Sequence, residues 1–335
     1  MSVPPPRSGI AGIRCKPSPS CYNMNMKTSE PVIGFGVRVL PGVLSQPQVL
    51  TLVLAALTAF AANSILARLA FTTTAIDPIL YTLVRIVAGA ALLGVLVFWR
   101  AQPGHRAGDW GGAATLIVYA FAFSFAYLYL DAATGALIMF AWAQMTMMTA
   151  GLLRGERLNT GQSLGFALAV VGIIVLLLPH AAAPTWPGIV LMSLSGIAWG
   201  LYSLRGHVMH LALATTSGNF LRAAPVAVLI ALIGFPLWEP DLLGFVYAAL
   251  SGGLTTGLGY ALWYRVLPEL RTTHASVAQL AVPVLAAVLG ILLLAEPLTL
   301  RFGISVIAVL GGIGLVILLR NDPITHPAPR KTGYN

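Results

Sequence analysis

Two arginines lie where an apolar chain can least accommodate them. Arg85 closes "TLVR" and Arg222 closes "NFLR", each within a long apolar run. Ionisable residues inside bilayer spans are costly, and they face a cavity or a partner. A guanidinium can hold a carboxylate through two parallel hydrogen bonds. The chemistry on offer is therefore capture of an anionic or zwitterionic solute. Each arginine falls about seven residues from its expected helix start, roughly 10 Å deep at 1.5 Å per residue. That depth also permits snorkelling to the interface, so a structural role stands beside the binding one.

Polar and aromatic residues within apolar runs are the other candidates for lining a solute cavity: Asn63, Tyr119, Trp142, Gln144, Trp199, Tyr202, Asn219, Tyr260 and Gln279. Small-molecule sites mix apolar walls with a few placed polar groups. Asn219 and Arg222 are three apart and share a helix face. Any one of these residues can equally serve helix packing. Trp99, Trp110, Trp186 and Trp238 fall at the ends of apolar runs, like an aromatic belt. Gly253 and Gly257 form a GxxxG spacing that permits close helix approach.

Other chemistries find little support. No Asp or Glu lies deep in an apolar run, which weakens a buried-carboxylate proton relay. His207 and His210 are i, i+3 but fall at the end of a run, a poor basis for a metal site. Cys15 and Cys21 both precede the first run and make no disulfide framework. GxSxG, Walker A and HExxH patterns are absent. Neither enzyme activity, nor a cofactor, nor a metal is expected.

These residues must be positioned by spans. Of 335 residues, 58% are hydrophobic and 9% charged, against roughly 25% charged in soluble domains. A bilayer core takes about 20 apolar residues per helix. Ten runs qualify, near 49–70, 78–99, 111–130, 133–153, 160–179, 186–204, 213–237, 242–263, 273–294 and 300–319. The expected class is an all-α polytopic membrane protein with ten transmembrane helices. Residues 1–47 are rich in Pro, Ser and Gly and read as a disordered tail. They hold no apolar core of a cleaved signal peptide, and Met24 and Met26 are alternative starts.

The net charge of +9 bears on orientation rather than nucleic acid. With both termini cytoplasmic, fifteen of the nineteen basic residues fall in inner segments, as the positive-inside rule requires. Arg154 and Arg157 mark such an inner corner. The expected location is the inner membrane, multi-pass, with residues 321–335 as a cytoplasmic tail. A small solute and the lipid bilayer are the expected partners; oligomeric state stays open.

The two halves resemble each other. Arg68 and Arg205 are 137 apart, as are Arg85 and Arg222; Glu156 and Glu296 are 140 apart. Sixteen residues after each glutamate stands a glycine, Gly172 and Gly312. Residues 48–180 and 185–320 thus read as two copies of a five-helix unit. Five is odd, so the second copy lies inverted, as in many secondary transporters. Glu156 and Glu296 read as corner residues before a helix N-terminus, with Pro297 at a first helical position.

The stretches "LLRGERLNTGQSLGFALAVVGIIVLLL" and "AVPVLAAVLGILLLAEPLTLRFGISVIAVLGGIGLVIL", with "GIAWGLYSLR", resemble the EamA family of the drug/metabolite transporter superfamily over about residues 48–320. One departure stands out. Pro283 fits the family's proline in the fourth helix of a unit, whereas Ala143 occupies the aligned place in the first. The resemblance implies a ten-helix carrier of small metabolites or drug-like solutes, often an exporter, working by alternating access. An intramembrane enzyme or a non-transporting scaffold is the alternative.

Overall fold

The computed structural model describes residues 45–100, 107–153, 155, 158–177, 185–206, 212–270, 278–297 and 299–319. Glu156, Arg154, Arg157, His207, His210, Cys15, Cys21 and both tails lie outside these residues.

The described chain is helical. Its elements are α1 (Gln46–Thr73), α2 (Pro78–Trp99), α3 (Trp110–Ala126), α4 (Ala132–Leu153), α5 (Thr160–Leu177), α6 (Trp186–Gly206) and α7 (Ala212–Ile233). A continuous helical run over Leu242–Glu269 follows as α8, then α9 (Ala281–Leu294) and α10 (Leu300–Leu318). Seven of these are long and apolar enough to cross a bilayer, and three shorter apolar helices complete ten segments among the described residues. Large apolar side chains such as Leu54, Leu164, Leu232, Leu292 and Ile307 are exposed along the helices. That is the surface a lipid solvent covers.

Three of the scarce acidic residues serve helix starts. Asp77 accepts from the amides of Ile79 and Leu80 ahead of α2, with Pro78 in its first turn. Asp109 accepts from Gly112 ahead of α3, and Asp241 from Gly244 ahead of α8. A side-chain acceptor at this place satisfies an otherwise orphaned N–H and is stabilised by the helix dipole.

Packing pairs the helices across the two halves. α2 packs on α7, α4 on α9, and α5 on α10. α1 packs on α8 and α9, while α6 packs on α3 and α4. Adding five to each helix number turns the first of these sets into the second. Small residues make the α5–α10 crossing close. A Cβ on Gly165 would stand 2.6 Å from the Gly312 carbonyl oxygen, and one on Gly172 2.8 Å from the Ala308 Cβ.

Terminal contacts fix helix directions. The N-terminus of α5 meets the C-terminus of α10 through Asn159 Nδ2 donating to the Leu319 carbonyl at 2.8 Å. The other ends meet through Arg301 Nε and the Val175 carbonyl. Asp77, before α2, accepts from the Glu239 amide beyond α7 at 2.9 Å. Glu296, beyond α9, accepts from the Ala132 amide at the start of α4. Each of these three pairs therefore runs antiparallel.

Two local expectations are corrected. Glu296 and Pro297 do not open the last helix. Thr299 is the residue before α10, and its hydroxyl accepts from the Phe302 amide. The left-handed Ala295 (φ 52°) turns the chain out of α9, so that Glu296 reaches the start of α4 instead. The close-approach glycine of α8 is Gly252, not Gly253. A Cβ on Gly253 meets nothing within 4 Å, whereas one on Gly252 collides with the Arg85 backbone. The cause is a π-helical stretch, Ser251–Leu258, whose wider turn rotates the register of the faces.

Candidate functional site

The π stretch arises from "SGGLTTGL", where glycines remove side-chain constraint and hydroxyls supply replacement hydrogen bonds. Thr255 and Thr256 each donate to the Ser251 carbonyl at 2.7 Å, four and five residues back. Ser251 Oγ donates to Asn63 Oδ1 at 2.5 Å, and Thr255 Oγ1 lies 3.3 Å from the same atom. Helix α8 is thereby tied to α1 of the other half. π turns are rare and recur at functional sites.

Beside this joint lies a cavity of about 530 Å³, within the size range of small-molecule sites. Both halves line it. The first supplies Phe60, Asn63 and Ser64 from α1, Tyr119 and Phe123 from α3, and Met139 and Phe140 from α4. The second supplies Trp199, Tyr202 and Ser203 from α6, Ala212 from α7, and Thr255, Thr256, Tyr260, Trp263, Tyr264 and Leu267 from α8, with Leu270 and Gln279 beyond. Its wall is a run of aromatic rings. Trp199 stacks on Tyr202 and on Tyr260 at 5.7 Å each, and Tyr260 on Tyr264 at 5.6 Å.

Most of the lining lies toward the end where α6 and α8 finish and α7 begins, while Phe123 and Met139 reach past mid-helix on the other side. The opposite end holds a cluster of charge. Arg68 donates to the Tyr127 carbonyl at 3.1 Å and lies 3.5 Å from Asp131 and 3.8 Å from Glu296. Both Glu296 oxygens accept from the Ala132 amide, at 2.9 and 3.1 Å. Burial pushes the Glu296 carboxyl above its ordinary range, against the opposing pull of the Ala132 N–H and Arg68. The Glu296 side chain is 10% exposed. This cluster joins α1, α4 and the α9–α10 corner.

Arg85 lies behind the cavity wall and is 2% exposed. Its Nη2 donates to Tyr119 Oη at 2.7 Å, and its Nη1 is buried with no hydrogen-bond partner. The guanidinium sits 5.1 Å from the Tyr119 ring centroid and 4.4 Å from that of Phe123. Its backbone packs directly on Gly252 of the π stretch.

Of the candidate site residues, Asn63, Tyr119, Trp199, Tyr202, Tyr260 and Gln279 come together on the lining, and Arg85 stands behind it. The other four lie elsewhere. Trp142 of α4 is outside the lining, and its Nε1 is buried without a hydrogen-bond partner. Gln144 is buried in α4 outside the lining. Asn219 accepts from the Asp109 amide at 2.9 Å and donates to Tyr202 Oη at 3.3 Å, bracing the cavity wall from outside. Arg222 donates to the carbonyls of Ala107 and Gly218 at 2.7 and 2.9 Å and ties α7 to the segment before α3. Sequence reasoning missed Thr255, Thr256 and Tyr264. The signal was available in the Gly- and Thr-rich break in the apolar run before Gly259.

Residues 48–178 and 186–318 each match the profile of the EamA-like transporter family. An uncharacterized protein of Pseudomonas aeruginosa is 50% identical over 272 residues, covering 81% of this chain and 95% of its own. An uncharacterized transporter of Archaeoglobus fulgidus is 26% identical over 68% of this chain and 79% of its own. The uncharacterized transporter YetK of Bacillus subtilis is 26% identical over 53% and 57%. One protein of known crystal structure superposes with a TM-score of 0.58 at 19% identity, covering 82% of this chain and 98% of its own. That last likeness is one of fold.

Proposed function

The chain belongs to the EamA-like transporter family, and from that premise we propose that it is a secondary transporter exporting a small organic solute across the cytoplasmic membrane by alternating access. The observation that carries the reading is the cavity of about 530 Å³ built jointly by both halves and lined mostly toward one end. A carrier needs such a site, reachable from one side at a time and placed between units that can rock.

The five-helix halves act as inverted units. The antiparallel pairs α2/α7, α4/α9 and α5/α10 support this, since a second copy in the same orientation would run parallel to the first. Both termini are cytoplasmic. The cavity then extends toward the cytoplasm, and the Arg68–Asp131–Glu296 cluster closes the external side. Opening outward breaks the contact between Glu296 and α4. The π stretch of α8 is the element able to absorb the change, because its backbone bonds are already held in part by hydroxyls.

Flux in proteoliposomes tests the function. Purified protein should give saturable movement of at least one solute from a panel of amino acids, nucleobases and organic acids, over empty liposomes. Absence of protein-dependent flux for the whole panel in both directions contradicts the reading.

A further inference from the structure

We propose that the solute is an organic carboxylate with an apolar body, and that Tyr119, backed by Arg85, is the group that binds its carboxylate. The inference rests on the transport reading and adds the substrate class.

The hydrogen-bond polarity of Tyr119 is the first observation. A phenol offers one O–H donor and two acceptor lone pairs. Arg85 Nη2 donates to Tyr119 Oη at 2.7 Å, and Asn63 Nδ2 donates to it at 3.4 Å. The Asn63 orientation is set from its other end, where Ser251 donates to Oδ1 at 2.5 Å. Both lone pairs of the phenol are thus engaged by N–H donors. Its own hydrogen has no acceptor among the described residues, and Tyr119 lines the cavity. At Tyr119 the cavity therefore presents an O–H donor in want of an acceptor, backed by a buried cation.

The second observation is charge. Arg85 is almost wholly buried, has no carboxylate of the described residues within ion-pair distance, and leaves Nη1 without a partner. A desolvated cation without a counter-ion is held against a large penalty. The rings of Tyr119 and Phe123 offset part of it through their negative faces. An anion at the Tyr119 hydroxyl completes the compensation across a dry interior, where charge interactions are strong. The same field disfavours a cationic solute and gives a neutral one no comparable gain.

The third observation is the remainder of the wall. Trp199, Tyr260 and Tyr264 offer ring faces and edges, and no described lining residue is acidic, histidine or basic. One buried cation suits a singly charged carboxylate. A phosphate carries more charge than one cation offsets, and the remainder would be desolvated without compensation. Arg222, bonded to two backbone carbonyls, takes no part.

Binding to the purified full chain in detergent tests this separately from flux. The cavity-wall tryptophans Trp199 and Trp263 report occupancy by fluorescence. Three acid–amide pairs of equal shape serve as probes: phenylacetate, indole-3-acetate and hexanoate, each against its amide. Phenethylamine and phenyl phosphate test opposite and greater charge. At least one acid should bind about tenfold or more tightly than its amide, the scale of a hydrogen bond to a charged group. Phenethylamine and phenyl phosphate should bind more weakly than phenylacetate. Tyr119→Phe keeps the ring and removes only the hydroxyl, and it should erase most of that preference while leaving amide affinity nearly unchanged. Arg85→Gln should erase it too, and Arg85→Lys should restore part of it. Acids binding no better than amides, or an unchanged preference in Tyr119→Phe, overturns the proposal. So does tighter binding of phenyl phosphate. A chain that moves neutral solutes without acid preference would retain its transport function and lose this assignment.

Discussion

Replacing Gly252 by alanine sets a methyl group against the backbone of Arg85, and the outcome can be worked out in advance. The added Cβ would lie 2.7 Å from the Arg85 carbonyl carbon and 2.8 Å from its Cα, with the carbonyl oxygen nearer still. Ordinary contact begins at 3.4 Å, so α2 and α8 must part by at least about 0.7 Å, the shortfall at the carbonyl carbon. All three atoms are backbone, and no rotamer relieves the collision. Overpacking of this kind costs about 1–3 kcal/mol. The helix propensity of alanine over glycine offsets about 1 kcal/mol, which leaves a net loss near 2 kcal/mol if the upper figure holds. Gly253→Ala is the matched control, because nothing lies within 4 Å of its Cβ and propensity alone should stabilise it by up to about 1 kcal/mol. Thermal unfolding in one detergent reads both variants. The melting midpoint should fall for Gly252→Ala and hold or rise for Gly253→Ala. Equal midpoints, or Gly252→Ala the more stable, would refute the packing of the π stretch on Arg85.

Glu296→Gln keeps an acceptor for the Ala132 amide and removes the charge. Burial raises the wild-type carboxyl, so its contribution is full below the unfolded pKa and declines as pH rises through the raised folded value; the variant should lose that decline in melts taken from about pH 4 to 7, and an unchanged profile contradicts it. Ala295→Gly should raise the melting midpoint by the equivalent of about 1 kcal/mol, because residue 295 holds φ 52° and glycine bears no Cβ penalty there. Arg222→Gln should lower the melting midpoint, since two carbonyl contacts are lost, while leaving the acid-over-amide preference of binding intact.

The spans were legible because a bilayer demands long apolar runs, and such runs survive any detail of packing. The two-unit organisation was legible in the spacing of Arg68 with Arg205 and of Glu156 with Glu296. Register within a helix was less so. Arg85 and Arg222 occupy matching sequence places, but Arg85 is enclosed by aromatic rings while Arg222 meets the Ala107 carbonyl. The difference lies in what packs alongside, which spacing along one helix does not carry. The Glu296–Ala132 contact joins residues 164 apart and depends on a left-handed turn at an alanine, a residue that does not advertise one. The π stretch altered which α8 glycine meets α2, and a GxxxG count assumes an unbroken α-helix.

Two-sided access to the cavity tests the carrier account most directly. Thr256→Cys places one thiol on the lining, in a background where Cys15→Ser and Cys21→Ser remove the native cysteines. A membrane-impermeant maleimide is then applied to sealed vesicles of each orientation. The account predicts labelling from the cytoplasmic side, slower labelling from the external side, and protection on both sides by a transported solute. A thiol reached from one side alone, whatever the solute present, would contradict it.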